Sequence, residues 1–284
     1  MTDLVVIGKN GQLAHEIARL APTAVCLGRE NIDITSPAGL AEVLNGLQPK
    51  AVINASAYTA VDNAETDQDN AYLLNQAAVA NLAQYCKANN VFFVHVSTDY
   101  VFNGNKGAPY TVSDAIEPQG VYGKSKAAGE AELTSILPDS SAIIRTSWVY
   151  SAKGNNFVKT MLRLMQEKPQ LGVIDDQIGS PTWAKGLAQA CIEAASQKIT
   201  GVYHWSDEGV CSWFDFAIII QQLGLAKGLL SQPIPIKPIP SSAYPTPARR
   251  PHYSVLDKTL TRETFSTQLS HWQVQLSAMM DELV

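Results

Sequence analysis

The chain has no paired cysteines. Its four cysteines (Cys26, Cys86, Cys191, Cys211) are widely scattered and none forms a C-x-x-C pair, so neither a disulfide framework nor a zinc site is indicated. Cys26 and Cys86 fall in apolar-periodic segments, as small core residues do. The five histidines (His15, His95, His204, His252, His271) lack metal-ligand spacing and read as structural; no metal is expected. No apolar run approaches the ~18 residues that span a bilayer. Met1-Thr2-Asp3 leads straight into a strand-like run, without the charged and apolar regions of a signal peptide, so the expectation is a cytoplasmic protein with no membrane role. Positive charge is also short: 21 Lys and Arg against 26 Asp and Glu give a net charge of −5, which leaves no basic footprint for nucleic acid. Internal repeats and low-complexity tracts are absent.

What is present is core-forming sequence. The 284 residues are 46% hydrophobic, enough for one large or two modest domains. Short apolar runs at Leu4-Val5-Val6-Ile7, 23–27, Ala51-Val52-Ile53-Asn54, 91–96 and Ala142-Ile143-Ile144-Arg145 alternate with helical segments. The helices are expected to about Leu20, from the Ser36 cap and Pro37 to about Leu47, over 68–89, and from Ser125 to about Leu137. This β-α alternation predicts an α/β fold, a Rossmann-type doubly wound parallel sheet. Beyond residue 150 the pattern changes, which divides the chain into a dinucleotide-binding core over 1–150, rejoined by later segments, and a smaller, mainly substrate-binding α/β part over 151–284. Within the latter, helices are expected over 156–168 and 183–195 and a strand over 171–174, while the Pro-rich stretch 233–251 is expected to wrap a substrate pocket.

Two stretches carry chemistry. The first strand ends in Gly8-Lys9-Asn10-Gly11-Gln12-Leu13-Ala14, a tight glycine turn into a helix N-terminus, where free N–H groups and the helix dipole suit a pyrophosphate. The pattern is G-x-x-G-x-x-A, not G-x-G-x-x-G. The second strand ends at Gly28-Arg29 without a carboxylate for the ribose hydroxyls. An arginine there can accept a 2′-phosphate, which favours NADPH, with NADH as the alternative. Small residues Ala55-Ser56-Ala57 follow the third strand and let a ligand lie close to the backbone. Further on, Tyr122 and Lys126 stand four apart at a helix start, so one face presents both. A lysine ammonium beside a phenol would draw its pKa toward the working range and make Tyr122 a proton donor. Ser97 and Thr98 arrive beside them at the carboxyl end of a buried strand. Asn75 reads either as a polar core residue or as a support for the site's backbone.

These motifs, with Asn54-Ala55-Ser56-Ala57-Tyr58-Thr59-Ala60-Val61-Asp62, Ser97-Thr98-Asp99-Tyr100-Val101-Phe102, Arg145-Thr146-Ser147-Trp148-Val149-Tyr150, Asp176-Gln177-x-Gly179-x-Pro181-Thr182 and 243–251, strongly resemble the dTDP-4-dehydrorhamnose reductases, a family of extended short-chain dehydrogenase/reductases. The resemblance covers nearly the whole chain. It implies Thr98, Tyr122 and Lys126 as the catalytic set. Gly8, Gly11, Gln12, Leu13, Arg29, Asp33 and Ile34 are the implied cofactor contacts, joined by Ala55, Ser56, Ala57, Tyr58, Tyr122 and Lys126. Val61, Asp62, Thr98, Asp99, Tyr100 and Trp148 are implied to meet the sugar. The implied reaction is reduction of the 4-keto group of a dTDP-6-deoxy sugar to dTDP-L-rhamnose, a surface-polysaccharide precursor. A dTDP-sugar partner follows, and a homodimer is left open. Two departures stand out. Ala14 replaces a third glycine, and Lys185 stands where some relatives place a glutamate that binds a dimer-bridging Mg²⁺. Two other functions compete. An epimerase or 4,6-dehydratase is opposed for the latter by Asp99-Tyr100 in place of an Asp-Glu pair. A non-catalytic NADP-binding regulatory subunit would not need Tyr122 and Lys126.

Overall fold

Strands that are apolar on both faces must be covered on both. The computed structural model describes Thr2–Val284; Met1, part of the N-terminal segment read above, lies outside the described residues. Six strands, β1 (Leu4–Ile7), β2 (Val25–Leu27), β3 (Ala51–Asn54), β4 (Phe92–Thr98), β5 (Ser141–Thr146) and β6 (Gly201–Trp205), form one sheet in the order β2-β1-β3-β4-β5-β6. Every neighbouring pair is parallel. Val5, Ile7, Val52, Phe93 and Ile143 face one side and pack with Leu40, Leu44, Val79, Leu82 and Leu133. Their neighbours in sequence, Val6, Ile53, Val94 and Ile144, face the other side and pack with Leu13, Ile17, Leu187 and Cys191. The strand period of two thus fills both layers.

The longer helices are α1 (Gln12–Leu20), α2 (Pro37–Leu47), α3 (68–89), α4 (Val121–Ile136), α5 (Phe157–Glu167), α6 (Ala184–Gln197), α7 (Trp213–Ala226) and α8 (Trp272–Asp281). Helices α1 and α6 cover one face of the sheet, and α2, α3 and α4 the other. Ser36 caps α2 as expected, its Oγ accepting from the Gly39 N–H at 3.3 Å. Two elements depart from the sequence reading. Helix α3 is interrupted by a π turn, Leu73–Ala77, between Gln68–Tyr72 and Ala78–Asn89. Helix α4 starts at Val121, before Ser125, because the remote Glu65 supplies the cap: its Oε1 accepts from the Val121 N–H at 2.9 Å.

The later part of the chain returns to the sheet through α6 and β6 and then builds a separate core. There Tyr150, Val158, Met161, Phe216, Ile220, Trp272 and Leu276 cluster between α5, α7 and α8. The Pro-rich stretch is partly ordered as a strand, Ile236–Ile239, paired in parallel with Leu171–Ile174. Pro238 is tolerated there because the sheet has only two strands and leaves an edge free. No helix among the described residues is long and apolar enough to cross a membrane. Strand order reverses between β1 and β3, which opens a crevice at their carboxyl ends.

Candidate active site

At that crevice two backbones meet. Gly8 has a φ of 107°, and a Cβ on it would stand 2.9 Å from the Ala55 carbonyl carbon and the Ser56 nitrogen. Only glycine fits both the dihedral and the gap. Gly11 follows as the α1 N-cap, with no side chain capping the helix. Gln12 ties this turn to the later half: its Oε1 accepts from Asn156 Nδ2 at 2.9 Å and from Ser151 Oγ at 3.3 Å.

Asn75 is a support for the site backbone. The π turn aims its side chain inward, where Oδ1 accepts from the Tyr58 N–H at 2.8 Å and Nδ2 donates to the Tyr58 carbonyl at 3.1 Å and to Ser125 Oγ at 2.9 Å. Ser125 Oγ in turn donates to the Tyr122 carbonyl at 2.9 Å. One buried amide thereby links segment 55–58 to the first turn of α4.

Helix α4 lies close against the end of β4 because Gly123 has no side chain: a Cβ there would come within 2.2 Å of the Tyr100 carbonyl oxygen. Tyr122 is half-buried and sits edge-on to Tyr100, ring centroids 5.5 Å apart. Thr98, the last residue of β4, donates its hydroxyl to Asp99 Oδ1 at 3.0 Å and accepts from the Tyr100 N–H at 3.3 Å. Burial pushes the Tyr122 phenol up to about 12, opposed by the nearby Thr98 hydroxyl. Burial also lifts the Asp99 carboxyl to about 6, against hydrogen bonds from Ser254 and Thr98.

The sequence reading expects the Lys126 ammonium to lower the phenol's pKa, whereas burial shifts it upward. Lys126 Nζ donates to the Val96 carbonyl at 2.7 Å and stands 3.3 Å from His95 Nε2. Lys126 is itself pulled down to about 8 by burial, with Glu130 acting the other way. The phenol keeps its proton because the low-dielectric site penalises the phenolate.

The remaining expected residues divide. Val61 and Asp62 open a short helix, Val61–Ala64, beside the site, and Asp62 pairs with Arg250 of the Pro-rich stretch. Trp148 is half-buried with a φ of 47°, and its indole stacks on Trp213 at a centroid distance of 3.5 Å. It packs at the margin of the later core. Leu13 and Ile34 point into the two cores, so only their backbones can meet a ligand. Asp33 closes a local turn, accepting from the Thr35 N–H at 2.9 Å. Arg29 is exposed at the end of β2 as expected, but the corner does hold a carboxylate: Glu30 lies against Gly28 and pairs with Lys9 at 3.5 Å. Sequence reasoning missed Glu65, Arg250, Asn54 and the placement of His95. The one local signal was a histidine on the same strand face as Ser97 in an otherwise apolar run.

Fold and site together define a class, the Rossmann-type α/β oxidoreductases with a tyrosine and lysine one helical turn apart beside a hydroxyl at a central strand's end. A family model described as RmlD substrate binding domain matches residues 1–284, and the chain belongs to that family. It is 40% identical over 284 residues to the dTDP-4-dehydrorhamnose reductase of Aggregatibacter actinomycetemcomitans, covering 96% of each chain. With the dTDP-4-dehydrorhamnose reductase of Escherichia coli (strain K12) it shares 38% identity over 293 residues, 99% of this chain and 98% of the other. A crystal structure of the dTDP-4-dehydrorhamnose reductase of Bacillus anthracis in complex with NADP matches with a TM-score of 0.92 at 33% identity, covering 99% of this chain and 100% of that one.

Proposed function

We propose that this protein reduces the 4-keto group of dTDP-6-deoxy-L-lyxo-4-hexulose to dTDP-L-rhamnose with NADPH as reductant and Tyr122 as general acid. The observation that carries the reading is the convergence of Thr98, Tyr122 and Lys126 at the carboxyl edge of β4, on a chain that spans nearly the full length of reductases named for this reaction. The site's own shape fits a dinucleotide: Gly8 leaves room where a Cβ would meet backbone, and α1 presents an uncapped N-terminus for a pyrophosphate. The bound cofactor supplies the hydride.

Each residue then has a task. Thr98 and Tyr122 offer hydroxyls to the keto oxygen, and the Tyr122 proton, firmly held in the resting site, passes to that oxygen as negative charge develops on it. Lys126 in its ammonium form supplies the charge that favours the resulting phenolate. Segment 55–58, fixed by Asn75, lines the cofactor side. Residues 1–150, rejoined by α6 and β6, carry the dinucleotide, and the rest mainly carries the sugar.

The test is the loss of NADPH absorbance on adding the enzymatically prepared 4-keto sugar nucleotide, with dTDP-L-rhamnose as product. Tyr122→Phe, which removes only the hydroxyl, should lower turnover by at least ~100-fold with cofactor binding intact. Near-normal turnover in that variant would remove Tyr122 from the role of general acid.

A further inference from the structure

Behind Lys126 lies a chain of hydrogen bonds whose direction is fixed at one end. The Ser56 backbone N–H can only donate, and it bonds Asn54 Oδ1 at 3.1 Å, with Ser56 Oγ at 2.6 Å from the same oxygen. This assigns the Asn54 amide: its oxygen faces Ser56 and its nitrogen faces His95. Asn54 and His95 are directly paired across β3 and β4, and Asn54 Nδ2 stands 3.2 Å from His95 Nδ1. An amide N–H facing Nδ1 requires a lone pair there, so the proton of a neutral imidazole must sit on Nε2. His95 is fully buried, and burial holds it neutral. Its Nε2–H is therefore the group that meets Lys126 Nζ at 3.3 Å.

An ammonium has only donors, and set against an N–H it meets donor with donor. A neutral amine has a lone pair that accepts from Nε2–H while one of its own hydrogens reaches the Val96 carbonyl, 2.7 Å away. We infer that Asn54 and His95 are positioning residues that hold Lys126 in place and bias its side chain toward the neutral amine. The inference deepens the reductase reading, on which it rests for the role of Lys126 in turnover.

The other groups around Lys126 do not reverse this bias. Glu130, one turn on along α4, favours the ammonium but is committed to Arg145 of β5, with contacts of 2.7, 3.0 and 3.1 Å. Tyr122 keeps its proton and is neutral, and Asp99 at the end of β4 acts on Tyr122 and Tyr100. Helix α3 contributes the neutral Asn75. The buried lysine, lowered to about 8, accordingly exchanges its proton near the working pH, and the charge available to a Tyr122 phenolate falls as pH rises through that value.

The experiment is an NMR titration of the full-length protein with isotope-labelled lysine and histidine, with Lys126 assigned through Lys126→Met. In the native protein a long-range proton–nitrogen correlation should report His95 Nε2 as the protonated nitrogen, and Lys126 should titrate near pH 8. Asn54→Asp keeps the acceptor for the Ser56 N–H but sets a carboxylate against His95 Nδ1. The proton should move to Nδ1, Nε2 should become an acceptor, and the Lys126 titration should rise by about one unit or more. The high-pH limb of kcat should move with it. A native His95 protonated at Nδ1 would overturn the inference without any variant. So would a Lys126 titration that stays put in Asn54→Asp, or that shifts with no change at the imidazole nitrogens. If the spectra behave as expected but no keto-sugar reduction occurs, the reductase reading fails and this one stands.

Discussion

Asp62 and Arg250, far apart in the sequence, meet in a two-point ion pair: Nη1 lies 2.9 Å from Oδ1 and Nη2 lies 2.7 Å from Oδ2. Asp62 Oδ1 also accepts from the Ala248 N–H at 3.2 Å, and the guanidinium holds the carboxyl below the usual carboxylate range. The pair fastens the end of the Pro-rich stretch to the short helix beside the site. Both side chains are partly exposed, so the pair contributes only about 0–1 kcal/mol to global stability. Asp62→Asn should thus leave the melting temperature nearly unchanged while raising KM for the sugar nucleotide several-fold. Cleavage by trypsin after Arg249 should accelerate, the Arg250–Pro251 bond being resistant. Unchanged proteolysis would show that the strap is held by other contacts.

Trp148 is set by Trp213. An indole stacked at 3.5 Å and 9° from parallel contributes roughly 0.5–1.5 kcal/mol beyond its buried area. Trp148→Ala should therefore melt several degrees lower as well as lose kcat/KM, and Trp148→Phe should recover most of the stability. Thermal melts read beside low-temperature kinetics separate the two effects.

Asp99 makes folding pH-dependent. Its carboxyl is raised from 3.8 to about 6 by burial, so the folded state holds this proton more tightly than the unfolded chain. Below the unfolded value both states are protonated and the group is neutral in its effect. As pH rises through about 6 the buried carboxyl must ionise, and stability falls by on the order of 1–3 kcal/mol. Asp99→Asn removes this term. Its melting temperature relative to the native protein should improve between pH 4 and pH 7 by about 2–4 °C per kcal/mol, whatever its offset at low pH. A constant difference across that range would mean that Asp99 carries no such shift.

Arg29 is the exposed cation at the end of β2. A guanidinium–phosphate hydrogen bond contributes about 1.5–3 kcal/mol, so Arg29→Ala should raise KM for NADPH about tenfold or more and leave NADH nearly unchanged. The neighbouring Glu30 makes the contrast sharper: Glu30→Gln should weaken NADH more than NADPH. Equal responses to the two cofactors would exclude Arg29 from reading the 2′-phosphate.

The sequence by itself determined the sheet, the glycine turn after β1 and the helix face that Tyr122 and Lys126 share. Apolar runs with period two define strands covered on both faces, a glycine turn after β1 permits only a close backbone approach, and Tyr122 and Lys126 share a helix face because the helical pitch puts residues four apart together. All of these are local spacings, fixed by backbone geometry whatever else the chain does. The tertiary structure alone decided what each site residue touches and which charge it carries. Glu65 starts α4 early, Arg250 occupies Asp62, Trp213 takes the face of Trp148, and Lys126 turns to Val96 and His95. Such pairings depend on the register between elements distant in sequence, and ionisation depends on how much water and how many partners remain around a buried group; no window of the sequence contains either quantity.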